Sequence, residues 1–379
     1  MRARTAPAAL LVIGSMGVIG NIGAIGAIGA IGALGAPGFI AASGSGTAAG
    51  AAPAAETGLW SAGETALRGA GRDYLVATAA GERAIQLPAG VEVEELFALR
   101  RSAFLSARGP LSAAAPAARR RDLFLALVDS QGVHELPTPR LDAGRVRENA
   151  VPLASAGGDL EGVVWLEGAD RQHYAIHHAG WDGRRWSEPV VIAAEAPGSQ
   201  LALAGATLAD GSKLLVWSRF DGHDDEVVAA RLLRGRWSAP QAIAPDNAVP
   251  DVTPAVIAVP GGALAAWSRY DGHDYRVVIS HFDGREWSPP TWAGPAGSTV
   301  PFLIRAGAGG DAAGQAPAWL TFASARPRGW TVLELDSAGR VLRQGSVADV
   351  PTLRPALAAQ PSGELRLRWA AVETDVELK

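Results

Sequence analysis

The sequence predicts an all-β repeat fold, and three observations predict it. Trp165, Trp217, Trp267, Trp319 and Trp369 lie 52, 50, 52 and 50 residues apart by subtraction. A turn-forming cluster precedes each of them: Gly157-Gly158-Asp159, Ala209-Asp210-Gly211, Pro260-Gly261-Gly262, Gly309-Gly310-Asp311 and Gln360-Pro361-Ser362-Gly363. After the first three tryptophans comes a second turn and then Trp-Ser-x-Pro, beginning at Trp186, Trp237 and Trp287. Self-similarity at about 50 residues marks a repeat architecture. Four short strands in each repeat is the arithmetic of a β-propeller blade.

Each element follows from local chemistry. Most of the spaced tryptophans end an apolar run, such as Leu214-Leu215-Val216-Trp217 or Leu264-Ala265-Ala266-Trp267, although only Ala316-Pro317-Ala318 precedes Trp319. Gly-rich turns between such runs are hairpin signals. In one unit the strands are predicted at about Leu201–Ala209, Lys213–Phe220, Glu226–Leu233 and Arg236–Ile243. In the next they fall at about Pro254–Val259, Ala263–Tyr270, Arg276–Phe282 and Glu286–Trp292. The proline of Trp-Ser-x-Pro cannot donate to a ladder, which puts the fourth strand on an outer edge.

Whole units are predicted at about 91–145, 148–196, 199–247, 251–296 and 299–348. The first has no matching tryptophan. Its second strand reads as Ser102–Ser106, and a loop Gly109–Arg121 precedes Leu123–Val128; an irregular unit here would leave five regular blades. The chain ends on two strand-like segments, Pro355–Ala359 and Glu364–Val372, and begins on two more, Asp73–Thr78 and Arg83–Leu87. Joined, these make one blade. The expectation is therefore a six-bladed β-propeller of four-stranded antiparallel blades, with the two ends sharing a blade and removing the exposed edges at the seam.

Bulk composition narrows the class. The 379 residues are 48% hydrophobic and 19% charged, as in a folded protein. The net charge of −4 gives no indication of a nucleic-acid partner. With no cysteine, disulfides, thiolate catalysis, zinc–cysteine sites and a lipobox anchor are excluded. Residues 1–55 differ in kind. Arg2 and Arg4 precede an uncharged stretch from about Ala8 to Ala42 with a Gly-Ala-Ile tract, and small residues follow at Ala41-Ala42-Ser43-Gly44 and Ala52-Pro53-Ala54-Ala55. This reads as a secretory signal, or as an uncleaved membrane anchor. Either places residues 56–379, the propeller domain, outside the cytoplasm: secreted, periplasmic or on the cell surface. Without the leader's two arginines the net charge becomes −6.

The units ending in Trp-Ser-x-Pro, over about Gly157–Trp292, resemble the blades of secreted bacterial propellers of the sialidase-like and fucose-lectin-like kind. The resemblance implies carbohydrate binding. Sialidase Asp boxes are not found: Trp181-Asp182-Gly183-Arg184-Arg185-Trp186 lacks the leading Ser/Thr and has different spacing. Leu303-Ile304-Arg305-Ala306 does not replace an Arg-Ile-Pro motif, and the WD40 and kelch signatures are missing.

The chemistry-bearing motif is a near-duplicate. Trp217-Ser218-Arg219-Phe220-Asp221-Gly222-His223-Asp224 recurs as Trp267-Ser268-Arg269-Tyr270-Asp271-Gly272-His273-Asp274. Both copies fall between second and third strands of adjacent blades. Asp-Gly suits a left-handed turn whose aspartate bonds turn amides. Arg219, Asp221, His223, Asp224, Arg269, Tyr270, Asp271, His273 and Asp274 are also the candidate ligand-binding residues, since arginine and aspartate form charge-assisted bonds and Phe220 and Tyr270 offer ring faces. No catalytic residue, metal ligand or cofactor is assigned. Two smaller features stand apart: His173, Tyr174, His177 and His178 on one strand, alternating between its faces, and the basic triplet Arg119-Arg120-Arg121. A face basic on one side and acidic on the other would orient a charged partner. The leading expectation is a non-catalytic propeller binding a glycan or protein on one face. The alternatives are a sialidase-like glycoside hydrolase or lyase and a structural envelope protein.

Overall fold

The computed structural model describes residues 58–62, 65–110, 121–140, 145–170, 173–195, 199–305, 318–351, 354–359, 365–369 and 373–379. The expected leader, Arg119 and Arg120 lie outside them. Every regular element among the described residues is a β-strand. Six antiparallel four-stranded blades follow one another in a ring: blade 1 at 58–86, blade 2 at 92–136, blade 3 at 146–193, blade 4 at 200–242, blade 5 at 251–292 and blade 6 at 298–348. Consecutive blades adjoin through their first strands. The 91–145 unit is a regular blade, with strands Glu92–Ala98, Ala103–Pro110, Arg121–Asp129 and Gly132–Leu136.

The seam differs from the expectation. Asp73–Thr78 pairs with Thr65–Ala70 and Gly81–Gln86 inside blade 1, whose innermost strand is Gly58–Ala62. The C-terminal strands Ala356–Ala359, Leu365–Arg368 and Glu373–Val376 form their own three-stranded sheet. The two ends therefore do not share a blade. Gly58–Ala62 and Thr65–Ala70 are short, weakly apolar strands soon after the leader; the second is the partner of Asp73–Thr78, and the first completes the blade beyond it. The C-terminal sheet sits between blades 6 and 1. Leu365, Leu367, Trp369 and Val376 pack with Trp319, Trp330 and Val332 of blade 6, Lys379 and Gln344 exchange backbone bonds of 2.8 and 2.9 Å, and its first strand adjoins Gly58–Ala62.

The core lies between blades rather than within them. Trp165, Trp217 and Trp267 have no exposed surface, and each packs on the blade before it. Trp217 packs with Val151, Leu153, Leu166 and Ile176 of blade 3, and its indole N–H donates to Gln200 Oε1 at 2.6 Å. Blade 6 fills this position with Phe322, which packs on blade 5. Trp319, three residues earlier, faces the other way, into the C-terminal sheet. An odd offset along a strand changes its face, so the 52-residue interval to Trp319 is not a structural repeat.

First strands carry a bulge in blades 3 to 6, with Asn149, Ala202, Thr253 and Val300 at φ of 53 or 54°. Such backbone is costly for a β-branched residue. The bulges coincide with bonds between blades: Leu203 N–H donates to Asn149 Oδ1 at 2.7 Å, and Val300 N–H to Ser268 Oγ at 3.0 Å. Fourth strands are shorter than expected because proline interrupts them, leaving Arg236–Trp237 with Gln241–Ala242 in blade 4 and only Thr291–Trp292 in blade 5. The serine of Trp-Ser-x-Pro keeps the ladder. Ser238 N–H donates to Arg231 O at 2.9 Å, and its hydroxyl accepts Arg231 N–H at 3.0 Å. Ser187 with Gly180 and Ser288 with His281 do the same.

Leu367→Asp tests the seam. An unpaired carboxylate at this fully buried position is expected to cost about 3–5 kcal/mol in urea denaturation and to promote self-association in sedimentation, since it frees sheet edges. Stability within about 1 kcal/mol of the native protein would mean that the C-terminal sheet does not close the ring.

Candidate functional site

Both copies of the repeated motif form the loop joining second to third strand, on the same side of the ring. Asp221 Oδ1 accepts the amides of His223 and Asp224 at 2.8 and 3.2 Å, and Asp221 N–H donates to Asp224 O at 3.0 Å. Asp271 repeats this with His273 and Asp274, all at 2.9 to 3.0 Å. Gly222 and Gly272, at φ of 109 and 94°, supply the backbone only glycine adopts readily. Backbone N–H bonds hold both carboxyls below their usual range, His223's contributing most at Asp221 and Asp274's at Asp271. These two aspartates therefore build turns.

The arginines divide. Arg269 Nε donates to Asp251 Oδ1 at 2.8 Å, Nη2 binds Oδ2, and the guanidinium lies 5.7 Å from the Trp267 ring centre. Asp251 is completely buried. Arg219, by contrast, has a buried Nε with no acceptor. Tyr270 packs against Tyr275 at 5.5 Å, and Asp274 meets Arg326 of blade 6 at 3.2 Å. His223 and His273 are exposed.

The first copy joins a larger acidic cluster that the motif does not reveal. Carboxylate oxygens of Asp221, Asp224 and Asp246 lie within 4.8 Å of one another, and this is the set that would offer oxygen ligands to a divalent cation. Asp225 and Glu226 stand beside them. Asn247, on the connection to blade 5, donates its backbone N–H and side-chain amide to Glu226 Oε1, both at 3.2 Å, and its amide also reaches Asp251 Oδ2 at 3.3 Å. Burial pushes Glu226 up to about 7 and Asp225 up to about 6, with neighbouring carboxylates adding to both. Asp224 is raised by burial and then by Asp221, Asp246 and Asp251. Asp224 Oδ2 and Asp225 Oδ1 are buried without a hydrogen-bond donor. The sequence shows Asp224-Asp225-Glu226 as a run, but Asp246 and Asp251 reach it only because the connection between blades passes over the end of blade 4.

His177 and His178 alternate between the faces of Tyr174–Gly180, whereas His173, expected on the same strand, precedes it. His177 stacks on Trp165 with ring centres 5.7 Å apart, while His178 meets Trp237 edge-on at 5.6 Å. His173 is exposed beside Asp170, at 2.9 Å.

No protein-family model matches the chain, and no curated protein matches it. Among solved structures it is similar to a protein of unknown function from Dyadobacter fermentans, at 12% identity and a TM-score of 0.47 over 77% of this chain and 100% of that one. It is similar to an α-L-arabinanase from Penicillium chrysogenum, at 12% and 0.46 over 75% and 94%. A third is a prolyl endopeptidase, at 13% and 0.46, of which the chain spans 44%.

The raised carboxyls fix a pH dependence. Over an interval above the ordinary carboxylate range the folded protein holds protons that the unfolded chain releases, up to about 6 on Asp225 and about 7 on Glu226 and on Glu94, where burial outweighs the opposing pull of Arg108. Stability from these groups is present below that interval and is lost as pH rises through it. The melting midpoint is expected to fall from about pH 5 to about pH 8, most steeply above about pH 6.5, because below it His178, which burial holds down to about 4, adds stability as pH rises. Glu226→Gln should flatten the fall and add roughly 2 kcal/mol at the upper end. A native profile rising over that range would contradict the buried, protonated carboxyls.

Proposed function

We propose that the protein is a non-catalytic binding propeller, exported by its leader, and that the loop face of blades 4 and 5 captures a protein partner through basic side chains. The observation that carries this reading is the carboxylate excess at the blade 4–5 junction, where Asp224 Oδ2 and Asp225 Oδ1 are buried with no donor. A buried acceptor without a donor costs about 1–3 kcal/mol. A guanidinium or ammonium group from a partner satisfies such oxygens with charge-assisted bonds. Phe220, 40% exposed at the edge of the same loop, supplies an apolar contact. A glycan suits this face less well, because Arg269 is tied to Asp251 and the Asp221 and Asp271 carboxyls are engaged in their turns.

One observation favours a second reading, a glycoside hydrolase. Glu226 is pushed up to about 7 while Asp221 is held low, and a pair driven apart in this way is what general acid–base hydrolysis uses.

An arginine-rich tetrapeptide, titrated in the presence of a chelator, separates the two. The Asp224→Asn/Asp225→Asn double variant is expected to bind it at least about tenfold more weakly, equivalent to about 1.4 kcal/mol. Affinity should rise with pH as Asp225 and Glu226 ionise. Equal binding by native protein and variant would overturn the binding reading. Turnover of a polysaccharide mixture that Glu226→Gln abolishes would establish the hydrolase.

A further inference from the structure

The opposite side of the ring carries a feature unrelated to the acidic cluster. A cavity of about 340 Å³ lies between blades 3 and 4, lined by Leu153, Glu161, His178, Gly180 and Trp181 of blade 3 and Lys213 and Leu232 of blade 4. Its volume falls in the range of small-molecule sites. A missing side chain creates it. Gly180 and Arg231 hold equivalent places in successive blades, since each exchanges two hydrogen bonds with the serine of its own Trp-Ser-x-Pro segment. At the blade 4–5 junction the Arg231 side chain fills the space between blades. It donates to Ser212 Oγ at 2.8 Å and to Gly284 O of blade 5 at 2.9 Å, and it lies 5.8 Å from the Phe282 ring centre. At the blade 3–4 junction Gly180 leaves that space open.

Neither backbone nor crowding demands glycine there. An added Cβ would sit 3.7 Å from Ser187 Oγ and 3.8 Å from Glu161 O, which is ordinary contact. Gly162, the direct partner of Gly180 on the neighbouring strand, is different: its Cβ would lie 2.9 Å from Ala179 O. Gly162 serves packing, and Gly180 serves the cavity.

The lining has a definite chemistry. The Lys213 side chain is 6% exposed, and its ammonium donates to Glu161 Oε2 and Gly211 O at 2.9 and 3.0 Å. An ammonium group has three protons, so one is left over. Glu161, half exposed, marks the mouth and keeps acceptor capacity. The Trp237 indole N–H donates to His178 Nδ1 at 3.3 Å, which puts the proton of the neutral ring on Nε2. Burial holds His178 down to about 4, so the ring stays neutral at physiological pH. The site offers two donors and a carboxylate acceptor with charges already balanced, between apolar walls from Leu153, Leu232 and Trp181.

We infer that this inter-blade cavity binds a hydroxyl-rich neutral ligand of hexose size, with Glu161, Lys213 and His178 reading its hydroxyls. An anion would meet Glu161 and a cation would meet Lys213, whereas a polyol engages both without opening their ion pair. A free hexose and the terminal sugar of a glycan present the same hydroxyls. This inference does not rest on the loop-face reading.

The test is saturation-transfer NMR and calorimetry with free hexoses, N-acetylhexosamines and short oligosaccharides of each at millimolar concentration. The native protein is expected to bind at least one sugar. Gly180→Arg, which installs the residue blade 4 carries at this place, should fold normally and bind at least about tenfold more weakly. Glu161→Gln, whose amide oxygen can still accept the Lys213 ammonium, should weaken binding, and it serves if Gly180→Arg fails to fold. The Asp224→Asn/Asp225→Asn variant on the other face should bind the sugar unchanged. Binding of the oligosaccharide alone would assign the site to a chain end, and binding of the free sugar would assign it to a soluble ligand. No binding by the native protein, or undiminished binding by the folded Gly180→Arg and Glu161→Gln variants, would overturn the inference.

Discussion

The structure depends on one constraint: a blade cannot bury its own faces. A four-stranded sheet of this length has two apolar sides, and among the described residues there is no helix to cover either. Blades 3 to 6 solve this by lodging a large ring from the second strand in the side of the blade before, and blade 2 packs Leu105 and Ala107 there instead. Trp165, Trp217 and Trp267 are lodged in this way with no exposed surface. Burying one such side chain is worth about 3–5 kcal/mol by the cost of truncation. Because the same packing problem arises at both sides of every blade, the arrangement must continue until it meets itself. The C-terminal sheet completes that circuit between blades 6 and 1.

Both sites follow from this stacking. It brings the connection between blades over the end of blade 4, which carries Asp246, Asn247 and Asp251 to the acidic run in the adjoining loop. On the other side it sets Gly180 opposite Lys213 across a junction where the next blade has an arginine. One face gathers charge that the fold leaves only partly balanced. The other leaves a space that the fold elsewhere fills. Neither feature is needed to hold the ring together, since the neighbouring junctions close without it.

Much of this was legible in the chain because repeats write their own spacing. The Trp-Ser-x-Pro segments located the outer edges, and the serine turned out to serve the ladder directly. The Asp-Gly-His-Asp copies located two loops on one side, and Asp221 and Asp271 form the turns their residue types suggest. Trp319 shows the limit of counting. Its interval fits, but its face does not, and Phe322 holds the equivalent position. The seam was misread because Gly58–Ala62 and Thr65–Ala70 carry few of the apolar residues that announce a strand, while Asp73–Thr78 does announce one. The acidic cluster needs residues from two segments about 20 apart in sequence, which only the passage between blades brings together. The cavity is the hardest case, since its cause is a side chain that is not there.

The most direct test of this account is amide hydrogen exchange, followed by mass spectrometry, on Trp217→Ala. If blades are stabilised chiefly through one another, protection should fall together in the second strands of blades 3 and 4, Leu160–Gly168 and Lys213–Phe220, with blade 1 little changed. Protection lost in blade 4 alone, with Leu160–Gly168 as slow to exchange as before, would show that each sheet is held by its own ladder and would contradict stacking as the source of the ring.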